Sequence, residues 1–413
     1  MPRRPYSIET IVEYGLCIGC GLCQSLAGPR RLRLEMTPGG RERPRVLEPL
    51  DQTTLARINA VCPGLRVQGF DDAPGGKGFA NSAMWGPAAG MATAYASDPE
   101  IRFEAATGGV LSALALYLVE TGKVDFVLHV AASAEKPMQS VRHVSDDRET
   151  VMAGSGSRYG PAAVLVDLCE RLDEGRVFAV IGKPCDIAAV RNLARIDPRV
   201  ETQVRYLLTF MCAGASELTM ARNVAGWHGV AEDEVASMRF RGYGNPGPTR
   251  IVTKKGRVHD TIYNQIWEDA RNWKLQFRCK ICPDAIGEVA DLVAYDVWPG
   301  GVPKGEDEGF NGVLARTPKG LALLREAEAA GVLKVTTPIT YADLDDFQPH
   351  QVEKKVAIVG RIAALALTRQ PYPRYRRLRL WRTALGAGPL TTLRAFLGML
   401  GRLRRGTNRE PAL

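Results

Sequence analysis

Cys17, Cys20 and Cys23 follow one another at C-x2-C-x2-C spacing, and Cys62 is followed at once by Pro63. These are the parts of a bacterial ferredoxin ligand set with its last cysteine displaced. Three thiolates so spaced can wrap one corner of a 4Fe-4S cubane, and Gly19 and Gly21 let backbone amides approach the sulfides. The rival is a structural zinc site of four cysteines. Zinc sites usually pair two C-x2-C knuckles, so the consecutive cysteines and the Cys-Pro step favour iron and sulfur.

Four more cysteines, Cys185, Cys212 and the pair Cys279-x2-Cys282, are scattered, and Cys169 falls inside an amphipathic stretch as an inert core residue. The surrounding pattern gives the scatter meaning. From about residue 90 to 215, short β-rich runs alternate with helical ones, the mark of βα units. Strands are expected at Met91 to Ala96, Val124 to Val130, Val177 to Ile181 and Arg205 to Met211. Helices are expected at Val110 to Thr121, Pro161 to Asp173 and Asp186 to Ile196. Cys185 and Cys212 then lie just past the carboxyl ends of two strands, where open α/β sheets build their sites. Spacing alone leaves open whether these four form a second ligand set or are separate buried thiols.

The expected fold is α/β, a mainly parallel or mixed sheet flanked by helices. A small ferredoxin-like iron-sulfur domain (residues 1–75) precedes it and a helical extension (residues 336–413) follows the central domain of residues 76–335. The Gly-rich run Asp71 to Gly78 marks the first boundary. An antiparallel insertion is expected over residues 235–255, a strand at Ala290 to Trp298 and a helix at Gly320 to Ala330.

The formal charge of +9 is concentrated in one place. Pro371 to Arg405 holds nine arginines and no acidic residue, and without them the chain has 45 basic and 45 acidic residues. A neutral body with a basic tail argues against nucleic acid as partner. The longest mainly apolar run, Val110 to Val119, is too short to span a bilayer, and no apolar signal core follows Met1. A cytoplasmic protein with reduced cysteines is expected. In the tail, Leu390, Leu393, Leu397 and Leu400 recur at helical spacing among arginines. That pattern suits three roles: peripheral contact with an anionic membrane, a grip on an acidic ferredoxin, or packing against the protein's own body. Arg30 to Arg45, with six arginines and two glutamates, offers a second docking face for an acidic donor.

An iron-sulfur cluster passes single electrons, whereas reducing an organic bond takes two electrons and protons, so a flavin is expected beside the clusters. Thr107-Gly108-Gly109 ahead of Val110, and Ser157-Arg158-Tyr159 within a second glycine turn, are the candidate FAD-binding residues. Neither is a G-x-G-x-x-G fingerprint, and each also reads as an ordinary turn. Lys183 and Asp186, flanking Cys185, are the candidate catalytic residues and read equally as helix-cap residues.

The ordered motifs now resemble a known family. Alongside the first four cysteines stand ATGGVLSAL (105–113), GSRYGPA (156–162), GKPCDIAAVR (182–191), FMCAGA (210–215), FRGYGNPGPTR (240–250) and RCKICPDAIGEVADLVAYDVWPG (278–300). Together they resemble the beta subunits of coenzyme F(420) hydrogenases and dehydrogenases. The same family includes 7-hydroxymethyl chlorophyll a reductase and the iron-sulfur divinyl chlorophyllide 8-vinyl reductase. The resemblance implies FAD in the α/β domain, two 4Fe-4S clusters, and Cys185, Cys212, Cys279 and Cys282 as ligands of the inner one. It implies an oxidoreductase that takes electrons from ferredoxin or a partner subunit to an organic substrate such as a tetrapyrrole or deazaflavin coenzyme. The alternative is an electron-transfer subunit without a substrate of its own. Lys183 and Asp186 stand where many members carry Thr and a Gln-like residue, so a tetrapyrrole substrate does not follow. A homo-oligomer is compatible with all of this.

Overall fold

The computed structural model describes residues 5–70 and 80–411; the expected linker at 71–78 lies outside them. Its centre is an eight-stranded mixed sheet. Four parallel strands, Phe126–Ala132, Phe178–Gly182, Val204–Phe210 and Leu292–Asp296, lie side by side in that order. Ser140–Ser145 pairs antiparallel on one edge. On the other, Asn311–Ala315, Gly90–Ala96 and Leu333–Pro338 continue the sheet, all antiparallel. The parallel strands are apolar runs such as Phe-Val-Leu and Phe-Ala-Val, as strands covered on both faces must be.

Helix Val110–Glu120 covers one face, with Val110, Leu114 and Leu118 fully buried. At about 2 kcal/mol per buried aliphatic side chain this face alone is a large contribution. Helix Pro184–Ala194 covers the other through Ile187, Val190 and Leu193. It starts two residues earlier than the sequence pattern predicts, because Pro184 presets the first helical φ and the Asp186 carboxylate accepts from the Lys183 amide at 3.0 Å.

The predicted helix over 161–173 is found only at Leu168–Asp173. Its first half instead backs the first cysteine loop. Leu165 donates its amide to the Cys20 carbonyl at 2.9 Å, and Val166 lies against Gly21. The expected insertion is a three-stranded antiparallel sheet, Val235–Arg239, Thr249–Thr253 and Val258–Thr261.

Residues 5–70, most of the expected iron-sulfur domain, contain a β-hairpin (Leu32–Met36 with Glu42–Val46) and helices Ile8–Glu13, Leu22–Ala27 and Gln52–Val61. Ile18, Cys20, Leu22 and Val61 belong to the same apolar cluster as Phe126 and Phe178 of the central sheet. The C-terminal extension reaches back to this region. Arg374–Arg376 pairs in parallel with Arg66–Gln68, and Ala364, Leu365 and Met399 share a cluster with Ile11, Leu16 and Cys17. Among the described residues no helix is long and apolar enough to cross a membrane.

Candidate functional site

The first four cysteines are brought together by two turns. The Leu16 to Cys23 loop runs through Gly19 and Gly21 at φ +69° and +90°, a conformation open to glycine but strained for other residues. A Cβ on Gly21 would meet the Val166 nitrogen at 2.8 Å. Cys62 caps the helix Gln52–Val61, and Pro63 ends it. All four cysteines line one cavity, otherwise walled by apolar side chains such as Ile11, Leu34 and Ile58. The Gly19 amide donates to the Cys17 sulfur at 3.4 Å. Burial raises all four thiols above their usual range, Cys62 to about 12. Thiolates here therefore need a positive partner.

The other four come from three separated stretches. Cys185 opens the helix after strand Phe178–Gly182, and Cys212 follows the adjacent strand Val204–Phe210. Cys279 and Cys282 sit in and just after the short helix Phe277–Lys280. The Cys212 amide donates to the Ala285 carbonyl at 2.8 Å, and the Ala215 amide donates to the Cys279 sulfur at 3.3 Å. Burial is the first cause that raises Cys185, Cys212 (to about 11) and Cys282; Asp186 and then Cys212 and Cys282 add to it at Cys185, Cys279 and Cys282 at Cys212, and Cys279 and Asp284 at Cys282. The four thus lie within electrostatic reach of one another. Cys169 stands apart, its amide held by the Ser25 hydroxyl at 2.7 Å.

Among the described residues no three His, Cys, Asp or Glu side chains converge tightly enough to hold a single metal ion.

Three cations, two of them fully buried, act on both sets. Arg278 donates to the Pro63 carbonyl at 2.8 and 3.2 Å, beside Cys62, while its charge acts on Cys282, Cys185 and Cys279. Arg43, expected on a docking face, is instead fully buried: it pairs with Glu410 at 2.7 Å and its charge is felt by Cys17 and Cys279. Lys183 pairs with Asp186 at 2.8 Å and donates to the Ala162 carbonyl, also at 2.8 Å. Its charge acts on both Cys185 and Cys20. The two candidate catalytic residues therefore lie within reach of both cysteine sets, paired with each other, and Asp186 keeps one oxygen without a partner.

Of the candidate flavin residues, two reach a common cluster of polar and aromatic side chains at the carboxyl end of the sheet. Thr107, at φ +62°, donates its hydroxyl to Asp296, the last residue of strand Leu292–Asp296, and accepts from Arg241 at 3.1 Å. The Tyr159 phenol, raised above its usual range by burial, lies near enough to Arg241 and Ser157 for both to lower it in part. Arg241 is the hub: it bonds both Asp296 oxygens at 3.1 Å and Asn245 at 3.1 Å, and it lies over the rings of Trp298 and Tyr263 at 4.8 and 5.2 Å. Trp298 is buried with its indole N–H unpartnered. The Gly108 and Val110 amides both donate to Asn311 at 3.1 Å, and Gly109 donates to the Ala106 carbonyl. A phosphate at this turn competes with Asn311 for the same donors. Arg158 is turned away, donating to Ser140 and to the carbonyls of Pro137, Gln139 and Met238.

Sequence reasoning missed Arg241, Asn311, Arg43 and Glu410 as site-forming residues. Arg241 lies inside the quoted FRGYGNPGPTR run, next to a glycine turn; that adjacency was its only signal.

Two sequence profiles of one family match this geometry's frame. The coenzyme F420 hydrogenase/dehydrogenase beta subunit N-terminal profile matches residues 91–181, and the corresponding C-terminal profile matches 175–340. The chain belongs to the coenzyme F420 hydrogenase/dehydrogenase beta subunit family. The matched span holds Cys185, Cys212, Cys279 and Cys282, whereas Cys17 to Cys62 and the C-terminal extension lie outside it. The chain is 27% identical over 262 residues to the coenzyme F420 hydrogenase subunit beta of Methanococcus voltae, covering 62% of this chain and 85% of that one. It is 23% identical over 332 residues to the coenzyme F420-dependent sulfite reductase of Methanocaldococcus jannaschii, covering 76% of this chain but 46% of that protein. With the F420-dependent formate dehydrogenase 1 subunit beta of Methanococcus maripaludis it shares 26% identity over 250 residues, 59% of this chain and 60% of that one. A chain of the F420-reducing [NiFe] hydrogenase complex from Methanosarcina barkeri has the same fold, with a TM-score of 0.50, 23% identity, and coverage of 67% of this chain and 95% of that one. The named relatives are oxidoreductases or subunits of oxidoreductases.

Proposed function

We propose that this chain is an electron-transfer subunit of a redox complex, with two 4Fe-4S clusters held by Cys17, Cys20, Cys23 and Cys62 and by Cys185, Cys212, Cys279 and Cys282. Such clusters, when bound, accept and release one electron at a time without moving a proton. The carrying observation is the second cysteine set, gathered from three distant stretches onto the ends of two adjacent parallel strands. Arg278, Arg43 and Lys183 supply fixed positive charge beside both sets, and apolar walls keep water away. The names of the relatives support a hydrogenase-, dehydrogenase- or reductase-type partner.

We place an FAD beside the Arg241 cluster, where Thr107, Tyr159 and Trp298 are gathered and one buried indole N–H lacks a partner. A flavin supplies the exchange between single electrons and a hydride. Arg241, fixed by Asp296 and Asn245, would face its polar edge. The experiment is anaerobic purification followed by iron, zinc and flavin analysis of the wild type and of Cys185→Ala. About eight irons per chain, falling to about half in the variant, is the expected result. Zinc without iron, or iron content unchanged in Cys185→Ala, would overturn the reading.

A further inference from the structure

The leucine stripe of the C-terminal helix is divided in the folded chain. In helix Pro389–Arg404, Phe396, Met399, Leu400 and Leu403 turn inward and join the cluster around Leu16 and Cys17. Leu390, Leu393 and Leu397 turn outward, each more than half exposed. The preceding helix, Leu380–Ala387, packs against it and shows Trp381 and Leu385, both more than 70% exposed. Of the fifteen exposed large apolar side chains among the described residues, six fall between Leu367 and Leu397. Scattered exposed leucines need no explanation, but this concentration does.

The charge of the same segment is one-sided. From Lys354 to Arg409 there is no acidic residue. Arg376, Arg377, Arg382, Arg394, Arg404 and Arg405 are all exposed. Arg394 stands next to Leu393 on the outward face, and Arg404 and Arg405 close its far end.

We propose that the outward face of helices Leu380–Ala387 and Pro389–Arg404 docks on an anionic lipid surface, its leucines and Trp381 entering the headgroup boundary and its arginines meeting lipid phosphates. Three partners compete for such a face, and the residues discriminate among them. A nucleic acid would use the arginines and leave five apolar side chains in water. A second copy meeting the same face would set arginines against arginines. A bilayer of anionic lipid buries the apolar stripe and neutralises the charges together, and an interfacial tryptophan is at home there. This inference does not depend on the cysteine sets or the flavin.

The test uses the full chain and two kinds of vesicle, phosphatidylcholine alone and an equal mixture with phosphatidylglycerol. Sedimentation should show binding to the mixed vesicles ~10-fold or more above the neutral ones, weakened by salt. Trp381 fluorescence should shift to the blue on binding, a change absent in Trp381→Phe. The double substitution Leu393→Glu and Leu397→Glu should abolish binding with unchanged circular dichroism, while Val258→Glu, equally exposed on the antiparallel insertion, should leave it intact. Should the double variant fail to fold, Arg394→Gln with Arg404→Gln provides the second arm and should lower binding ~10-fold. Equal binding to both vesicle types, or binding that survives both sets of substitutions, would overturn the proposal. So would self-association, or capture of an acidic protein, that depends on Leu393 and Leu397 while vesicles are ignored.

Discussion

Arg43 and Glu410, 367 positions apart, form a buried ion pair at 2.7 and 2.8 Å. Arg41 joins them at 3.1 Å from its own side. The pair ties the hairpin strand Glu42–Val46 to the last described residues of the chain. Glu410→Ala leaves the Arg43 guanidinium buried without its counter-ion, at an expected cost of about 3 kcal/mol. The double variant Arg43→Leu with Glu410→Leu should lose much less than the two single losses combined. Denaturant titrations of the four proteins in the cycle measure both numbers.

Gly21 is a second point where one atom decides. Its φ of +90° and the Val166 nitrogen 2.8 Å from any added Cβ leave no room for alanine. Gly21→Ala should push the Cys20 to Cys23 turn off residues 165 and 166 and lower stability by at least about 1 kcal/mol. On the proposed function the variant should also lose iron from the first set while keeping that of the second. Thermal melts and iron analysis check the two halves separately.

Arg278 places a fixed positive charge beside Cys282, Cys185 and Cys279. A cation near a centre that gains an electron favours the reduced form. On the proposed function, Arg278→Gln should therefore make the cluster at these cysteines harder to reduce, a fall in midpoint potential visible in an EPR-monitored titration. Arg278→Lys should restore part of it. Arg278→Lys still loses the forked contact to the Pro63 carbonyl, so its stability should stay below wild type.

His129 carries a pH dependence of defined sign. It is buried on strand Phe126–Ala132, within 2.6 Å of the Ser145 hydroxyl, and burial pushes its pKa down to about 3, with His143 adding to the effect. The folded state thus binds fewer protons than the unfolded one between pH 6.5 and about 3. The stability this group contributes is complete above pH 6.5 and is lost as pH falls, by up to about 1.4 kcal/mol per pH unit. His129→Gln, which has no proton to gain, should flatten the stability curve in that window relative to wild type. Urea midpoints at pH 7, 6 and 5 give the difference.

Five of the eight sheet strands were legible because their apolar runs are bounded by Gly, Pro and Asp; Ser140–Ser145, Asn311–Ala315 and Leu333–Pro338 were not. Cys185 and Cys212 could be set at two strand ends for that reason, and the structure makes those strands neighbours. What failed was a helix reading at 161–167, where the apolar pattern of Ala162, Val164 and Leu165 serves a different surface, the back of the first cysteine loop. Periodicity reports that a residue is buried and is silent about what it is buried against. One arginine of the docking face expected at Arg30 to Arg45 was misplaced for a similar reason. Arg43 looks like a surface charge until Glu410 is brought beside it, and no local pattern announces a partner so distant. The tail leucines look like one stripe in the sequence; because a helix packed on one side still has another, Leu400 went in and Leu397 stayed out.

The wall around Cys17 is finished by Ala364, Leu365 and Met399, and its guanidinium neighbour is neutralised by Glu410. In a chain made from the amino end, the first cysteine loop therefore emerges hundreds of residues before its cover. On the proposed function, that loop would be open to whatever delivers its cluster while the later residues are still unmade. The wall is complete only once residues 364–410 have folded onto it, so loading can precede sealing in time.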